Sequence, residues 1–447
     1  MSRLSRSGYL TEHNTEVKKE LTVRPEMNNE FGFPPPPFKV FKTTKNWMCV
    51  PRFYGIEKFG EPEEDIRPEP KKMCAKFVGK LRNETHQPEA LAKALEAGSG
   101  VLSLPCGYGK TTVALAIASK LGLRTMILVH KEFLANQWRE RIQQFCPGAK
   151  IGLVQRDTVD MDGDFVIAML QSVSQKEYTF EQFESVGTLI VDEAHHICAR
   201  VFSQALFKLC PRHVYGLSAT PDRKDGLTKV LHWFMGPTFF AVERKEQDKV
   251  MVTTVDVVIP RYKDPPPTNR MGKISLAEMI TVLVENPERN KKLLKIIKGA
   301  SKGGRKVLVL SDRRLHCEYI HGEFPGSGLY MGGMSEQALD ESSKCSIIIG
   351  TFSQAHEGLD IPTLDTLVLA TPKSDIKQSI GRILRETPGK KNQPHIWDLR
   401  DKWSVLNAMY HKRCKVYREG GFTIEGACEE EKQPKITGFL FTNIVGN

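Results

Sequence analysis

Apolar residues in this chain come in short, nearly continuous runs. In the first half the runs fall at 101–104, 125–129, 165–170, 188–191 and 214–217, and stretches with helical spacing, such as 111–121 and 133–145, separate several of them. A run that is apolar at every position predicts a strand covered on both faces, and helices crossing between parallel strands supply that cover. The alternation breaks at 260–268, where Pro265-Pro266-Pro267 predicts a linker, and a second series follows at 307–310, 346–349, 366–369 and 395–397. The expected fold class is α/β, with two tandem doubly wound parallel-sheet domains. Boundaries are expected at 76–255 for the first domain, 256–290 for the linker and 291–425 for the second domain, with a C-terminal tail over 426–447.

Ahead of these domains the pattern is weaker. Residues 1–40 are polar and end near Phe33-Pro34-Pro35-Pro36-Pro37, which reads as a tail or semi-rigid linker. Residues 41–75 set Trp47, Phe53, Tyr54 and Phe59 among Gly and Pro, and predict a small accessory element with no evident chemistry. Residues 1–75 are therefore expected to be an N-terminal tail and accessory region.

Composition narrows the class. The 447 residues are 40% apolar and 26% charged, ordinary values for a globular chain long enough for two core domains. No run of about 18 apolar residues suggests a membrane-spanning helix, and the N-terminus lacks the apolar core of a secretory signal. Ten cysteines occur without a Cys-x-x-Cys pair, which predicts neither a zinc site nor a disulfide framework and favours a reducing, intracellular compartment. Net charge is +11, and the excess is local: ten basic residues against one acidic between 289 and 314, and twelve against four between 373 and 418. Such stretches suit a polyanionic partner, although a solvated basic face has the same composition.

Candidate chemistry begins where a strand meets a helix, at Leu104-Pro105-Cys106-Gly107-Tyr108-Gly109-Lys110-Thr111. A glycine-rich turn in that context lets backbone N–H groups converge on phosphate oxygens, and the helix N-terminus adds a favourable dipole. Pro105, Cys106, Gly107, Tyr108, Gly109 and Thr112 would then surround the phosphates of ATP. Lys110 would reach the β- and γ-phosphates and Thr111 would ligate Mg²⁺. Leu104 stands where the general pattern has its first glycine. Downstream, Leu189-Ile190-Val191-Asp192-Glu193-Ala194-His195 is an apolar strand ending in two acids. Asp192 would hold Mg²⁺ and Glu193 would orient and polarise the attacking water. Either segment alone is an ordinary loop; in one α/β unit they predict a nucleotide hydrolase. In the second domain, Gln378-Ser379-Ile380-Gly381-Arg382-Ile383-Leu384-Arg385 spaces Arg382 and Arg385 for one helical face, where two guanidiniums could meet a γ-phosphate. Alone, that pair reads as a basic helix face.

Taken in order, these segments resemble a superfamily 2 helicase of the DEAH-lettered kind, in the XPB/UvsW-like group and similar to helicases of large DNA viruses. The resemblance runs over roughly residues 80–420. It opens on Leu81-Arg82 with Gln87 and continues through Leu128-Val129-His130-Lys131 with Gln137-Trp138, then Leu170-Gln171-Ser172. Ser218-Ala219-Thr220-Pro221 follows, with Arg223-Lys224-Asp225-Gly226 behind it. The second half adds 308–314, Gly350-Thr351-Phe352-Ser353 leading into Glu357-Gly358-Leu359-Asp360-Ile361-Pro362, and the arginine helix. The first 75 residues match no part of the family.

The resemblance implies two RecA-like domains, ATP and Mg²⁺ as cofactors, and DNA held by its backbone and not read by its bases. It implies that Gln87 reads adenine, that Gly358 and Asp360 lie at the nucleotide, and that Gln378, Arg382 and Arg385 act from the second domain. His130, Lys131, Gln171, Ser172, Arg223, Thr351 and Phe352 would line the strand, with Phe352 either stacked on a base or buried at its strand end. His195, Ser218 and Thr220 would couple hydrolysis to domain movement. The expected function is an ATP-dependent DNA helicase or translocase that unwinds or remodels DNA, in the cytoplasm, nucleus or a viral replication site. A duplex translocase without strand separation and an RNA helicase stay open. A nucleotide-sensing scaffold without turnover sits badly with intact Lys110, Asp192, Glu193 and Arg385.

Overall fold

A computed structural model describes residues 2–25, 36–105, 107–195, 203–219, 226–242, 250–357, 359, 361–384, 390 and 392–426. The apolar runs of the first half are neighbouring strands of one sheet. Its order is Thr158–Asp160, Ile151–Gln155, Phe165–Met169, Thr125–Val129, Thr188–Val191, His213–Ser218, Gly100–Ser103 and Thr238–Ala241. Every pair is parallel except the outer hairpin of the first two. Successive side chains feed opposite faces: Met126 and Leu128 enter one core, Ile127 and Val129 the other, so neither parity could be polar. Helix Glu132–Phe145 buries Leu134, Ala135, Trp138 and Ile142, a single apolar stripe.

The second sheet is parallel throughout, in the order Gly328–Tyr330, Ile347–Thr351, Val307–Ser311, Thr366–Leu369, His395–Asp401, Met251–Val257 and Thr423–Glu425. Leu308 and Leu310 face one core, Val307 and Val309 the other. Met251–Val257 pairs along its whole length with His395–Asp401, so this sheet begins earlier than expected and the 255/256 boundary cuts a strand. That strand escapes an apolar-run reading because Thr253, Thr254 and Asp256 interrupt it. Helices Leu276–Glu285 and Pro287–Ala300 start within the stretch expected as linker.

The N-terminal residues are more than a tail. Arg3–Ser5 and Gly8–Thr11 join Lys42–Thr43, Met48–Val50 and Glu64–Asp65 in a five-stranded sheet. Helix Thr15–Glu20 is capped by Asn14, whose side chain accepts from Glu16 N–H and Val17 N–H. Leu4, Tyr9, Val17, Leu21, Met48, Val50 and Tyr54 form a core that takes in Cys210 of the first domain. Tyr54 on helix Arg52–Phe59 meets Trp233 edge-on, with ring centroids 5.4 Å apart. A Cβ on Gly55 would stand 2.3 Å from the Tyr9 ring, so only glycine lets that helix lie on its strand. Most of these strands are too short to register as periodic runs. Phe33, Pro34, Pro35 and the tail from 427 lie outside the described residues. Among the described residues no helix is long and apolar enough to cross a membrane, and the cysteines are free thiols.

Candidate nucleotide site and strand track

Strand Gly100–Ser103 delivers the chain to a turn that ends at helix Lys110–Leu121. Gly107 and Gly109 take φ of +87° and +78°, a left-handed backbone that side chains resist. A Cβ on Gly109 would also fall 2.4 Å from Gln87 Nε2. Gln87 is 1% exposed, and its amide braces the turn: Oε1 accepts from Arg82 N–H and Nε2 donates to the Tyr108 carbonyl, both at 2.9 Å. Arg82 Nη2 donates to the Gly107 carbonyl at 3.1 Å. The side chain expected to read adenine is thus engaged in holding the loop. Lys110 Nζ reaches back to the Leu104 carbonyl at 3.0 Å. Leu104 is buried and presents its backbone there, so the absent first glycine blocks nothing. Thr111 and Thr112 are half-buried on the first helical turn, Tyr108 N–H donates to the Pro105 carbonyl at 3.2 Å, and Cys106 lies outside the described residues.

Two strands away in the same sheet, Thr188–Val191 ends at the acid pair. Asp192 Oδ2 accepts from Trp138 Nε1 at 2.8 Å and Oδ1 from Glu193 N–H at 3.0 Å. Burial, and then the Glu193 charge, push the Asp192 carboxyl above the usual carboxylate range; the Trp138 hydrogen bond and the Lys110 charge pull against that shift. Lys110 and Asp192 therefore share one electrostatic environment. Glu193 holds φ at +47°, an uncommon backbone for a residue with a side chain. Its Oε2 is buried with no hydrogen-bond partner, and the nearest base, His195 Nδ1, stands 3.5 Å away. Ser218 Oγ lies 3.4 Å from the same nitrogen. His195 thus sits between Glu193 and Ser218, while Thr220 lies outside the described residues.

These groups suit Mg²⁺. The donors at hand are hard oxygens, the Thr111 hydroxyl and the Asp192 carboxylate, and among the described residues no cluster of three His, Cys, Asp or Glu would hold a metal unaided. That is the chemistry of an ion shared with water and phosphate. The buried Glu193 Oε2 makes no hydrogen bond and so adds an acceptor with room for one.

The strand contacts divide. His130, expected at the strand, is 6% exposed with its imidazole inside the protein, and burial drives its pKa down. Lys131 stays half-buried at the N-cap of helix Glu132–Phe145. Gln171 Nε2 donates to the His130 carbonyl at 2.7 Å, and Ser172 Oγ accepts from Arg156 N–H at 2.9 Å. Loops after two neighbouring strands are so joined. In the second domain Thr351 Oγ1 is 3.2 Å from Ser353 Oγ. The Phe352 ring is 1% exposed, with Lys373 Nζ over it at 5.4 Å. No base can stack there, so of the two expected fates burial is the one observed; the backbone amide is unaffected.

Gln378 and Arg382 are half-buried on helix Lys377–Ile383, and Arg382 Nη1 donates to the Leu359 carbonyl at 2.8 Å. Arg385, and with it the expected shared face, lies outside the described residues, as do Arg223, Gly358 and Asp360. Part of the local charge excess is internal. Arg289 grips Asp401 through Nε and Nη2 at 2.9 Å, and Arg413 grips Asp398 in the same way, all four side chains buried. Lys291, Lys295, Lys298 and Lys302 remain exposed along one helical stripe and its continuation. The Trp138–Asp192 bond was not foreseen; its only sequence signal is a tryptophan in the helical pattern two turns after Lys131.

Comparison with known proteins agrees with this architecture. Residues 80–223 match the family described as type III restriction enzyme, res subunit. The putative ATP-dependent RNA helicase L396 of Acanthamoeba polyphaga mimivirus is 34% identical over 448 residues, spanning 93% of this chain and 84% of that protein. Putative helicase 161L of Invertebrate iridescent virus 6 is 29% identical, spanning 78% and 83%. Among solved structures, the Mycobacterium smegmatis helicase Lhr bound to ssDNA and AMP-PNP has a similar fold, with a TM-score of 0.54 at 17% identity over 74% of this chain and 48% of that one.

Proposed function

The chain belongs with the putative helicases of large DNA viruses, and from that premise we propose how its residues divide the work. It is an ATP-dependent nucleic-acid helicase, an ATPase whose turnover drives movement along a strand. The observation that carries the assignment of roles is the placing of Lys110 where its charge acts on Asp192, beside Glu193, whose Oε2 is buried without a hydrogen bond. Lys110 neutralises the β- and γ-phosphates while the loop amides around Gly107 and Gly109 orient them. Thr111 and Asp192 would hold Mg²⁺, which when bound would supply positive charge to offset that of the phosphates. Glu193 accepts a hydrogen bond from the attacking water and fixes its line of approach. His195 carries the state of Glu193 to Ser218, and Arg385, with Gln378 and Arg382 beside it, approaches from the second domain.

We propose DNA as the strand, as the XPB/UvsW-like resemblance implies. It would lie along Lys131, Ser172 and the Thr351–Phe352 backbone in a reducing intracellular compartment. RNA is the second reading, favoured by the name given to the mimivirus relative. ATP turnover with single-stranded, duplex and forked DNA and with RNA, followed by strand displacement, decides between them. Stimulation by RNA alone overturns the DNA reading, and stimulation without displacement identifies a translocase.

A further inference from the structure

Resting on the reading that Asp192 holds the divalent cation, we propose that Trp138 is a positioning residue that sets how tightly this site takes that cation. A carboxylate that ligates a metal works only as well as the groups orienting it, and outer-shell donors commonly govern affinity by about 10- to 100-fold. Asp192 has two such donors. One, Glu193 N–H on Oδ1, is the adjoining peptide and belongs to the same loop as the carboxylate. The other, Trp138 Nε1 on Oδ2, is fixed from outside the loop.

Trp138 is well suited to that task. It is 1% exposed and stands among Leu134, Ile142, Ile167 and Ile190 in the core of the first domain. An indole is rigid and its N–H points in one direction, and the ring here is clamped by packing. The bond therefore fixes the carboxylate plane, and with it the direction of Oδ1 toward Glu193 N–H. Glu193 holds its left-handed backbone at that hydrogen bond. A single donor on helix Glu132–Phe145 thus sets both the cation ligand and the residue proposed to align the water. The same helix carries Lys131, a proposed strand contact, at its N-cap.

The test uses the full-length protein and a fluorescent, non-hydrolysable ATP analogue, titrated in EDTA and over a range of Mg²⁺. Trp138→Phe keeps an aromatic ring and removes the donor. The expected result is unchanged affinity in EDTA and a Mg²⁺ half-saturation point raised about tenfold or more. A Trp138→Phe protein that keeps its Mg²⁺ response within about twofold while only its melting temperature falls would reduce the residue to core packing and overturn the proposal. Asp192→Asn separates the two failures. If it retains the Mg²⁺ response the cation is held elsewhere and the underlying assignment falls; if it loses the response while Trp138→Phe does not, only the role of Trp138 falls. Should Trp138→Phe not fold, wild-type protein labelled with 5-fluorotryptophan replaces it, its Trp138 resonance assigned by substituting Trp47, Trp233, Trp397 and Trp403 singly. That resonance should shift with Mg²⁺ and the analogue but not with the analogue in EDTA; a resonance indifferent to Mg²⁺ overturns the proposal.

Discussion

Arg413 and Asp398 form a two-pronged ion pair inside the second domain, with Nε and Nη2 donating to Oδ2 and Oδ1 at 2.8 and 2.9 Å. Tyr417 Oη adds a third donor to the carboxylate at 2.8 Å, and Arg413 Nη1 reaches the Lys373 carbonyl at 3.0 Å. Removing the arginine strands a buried charge. Arg413→Ala should cost about 3–5 kcal/mol, read as a lowered denaturant midpoint, and Arg413→Lys should recover little because a point charge lacks the planar fork. A midpoint unchanged by Arg413→Ala would mean that Asp398 finds another partner.

Lys110→Ala and Glu193→Gln should fail in different ways. The first loses the point charge at the phosphates, so ATP turnover should fall below about a tenth of wild type while nucleotide-free strand binding persists. The second keeps every phosphate contact but cannot polarise water, so it should bind ATP and accumulate a loaded state on DNA. Equilibrium nucleotide binding beside steady-state turnover checks both, and a Glu193→Gln protein that binds no nucleotide points to a structural role.

The two arginines of the second domain should also separate. Arg382 spends Nη1 on the Leu359 carbonyl, so Arg382→Ala should disturb the fold of that domain as well as turnover. Arg385→Ala should lower kcat by orders of magnitude with a modest loss of ATP affinity, the signature of a group acting in the transition state. A first-half fragment should bind ATP weakly and show no DNA-stimulated hydrolysis. It should end at Val242, because strand Met251–Val257 belongs to the second sheet. Full stimulated turnover by that fragment would show that the second half is no part of the active site.

His316 makes stability fall in acid. Its Nδ1 accepts from Ser311 Oγ at 2.9 Å and its Nε2 donates to Asn290 Oδ1 at 3.2 Å, an arrangement for a neutral ring, since Asn290 Nδ2 is occupied by the Val284 carbonyl and Ser311 Oγ also accepts from Arg313 N–H. Burial, with the Arg289 charge nearby, lowers its pKa to about 3. Because the unfolded ring takes its proton near pH 6.5 and the folded one near 3, the unfolded state binds more protons in between. The contribution is complete above 6.5 and is lost as pH falls toward 3, by at most about 1.4 kcal/mol per pH unit. Between pH 6 and 4 the stability of wild type should drop more steeply than that of His316→Gln; parallel slopes would show that the ring protonates in the fold.

What could be read from sequence follows from which residues have local consequences. Strand Thr125–Val129 is buried at every residue, and four apolar residues in a row after Thr125 say so without help. Strand Met251–Val257 buries alternate residues and carries Thr253, Thr254 and Asp256, so its place in the second sheet depends on the partner it finds in His395–Asp401. Charge misled for the same reason. Arg289 and Arg413 read as part of a basic surface because sequence does not reveal that Asp401 and Asp398 wait inside the domain. The glycine turn between strand and helix was legible because its constraints are local, the positive φ of Gly107 and Gly109 above all. The burial of Gln87 and His130 was not, and that of Phe352 stayed one of two fates, because burial is a property of the assembled sheets.

The chain leaves the first sheet at Ala241 and enters the second at Met251, so residues 242–250, nine in all, join the two. Drawn out fully they span roughly 35 Å. Chain length bounds the stroke: however far the halves swing during a cycle, Ala241 and Met251 stay within that span of each other. Each half therefore meets the other at an effective concentration on the order of millimolar. Closure on a nucleotide, as proposed, would be an intramolecular event whose rate should not change when the protein is diluted, and an arginine acting from the second half would require no second copy of the chain.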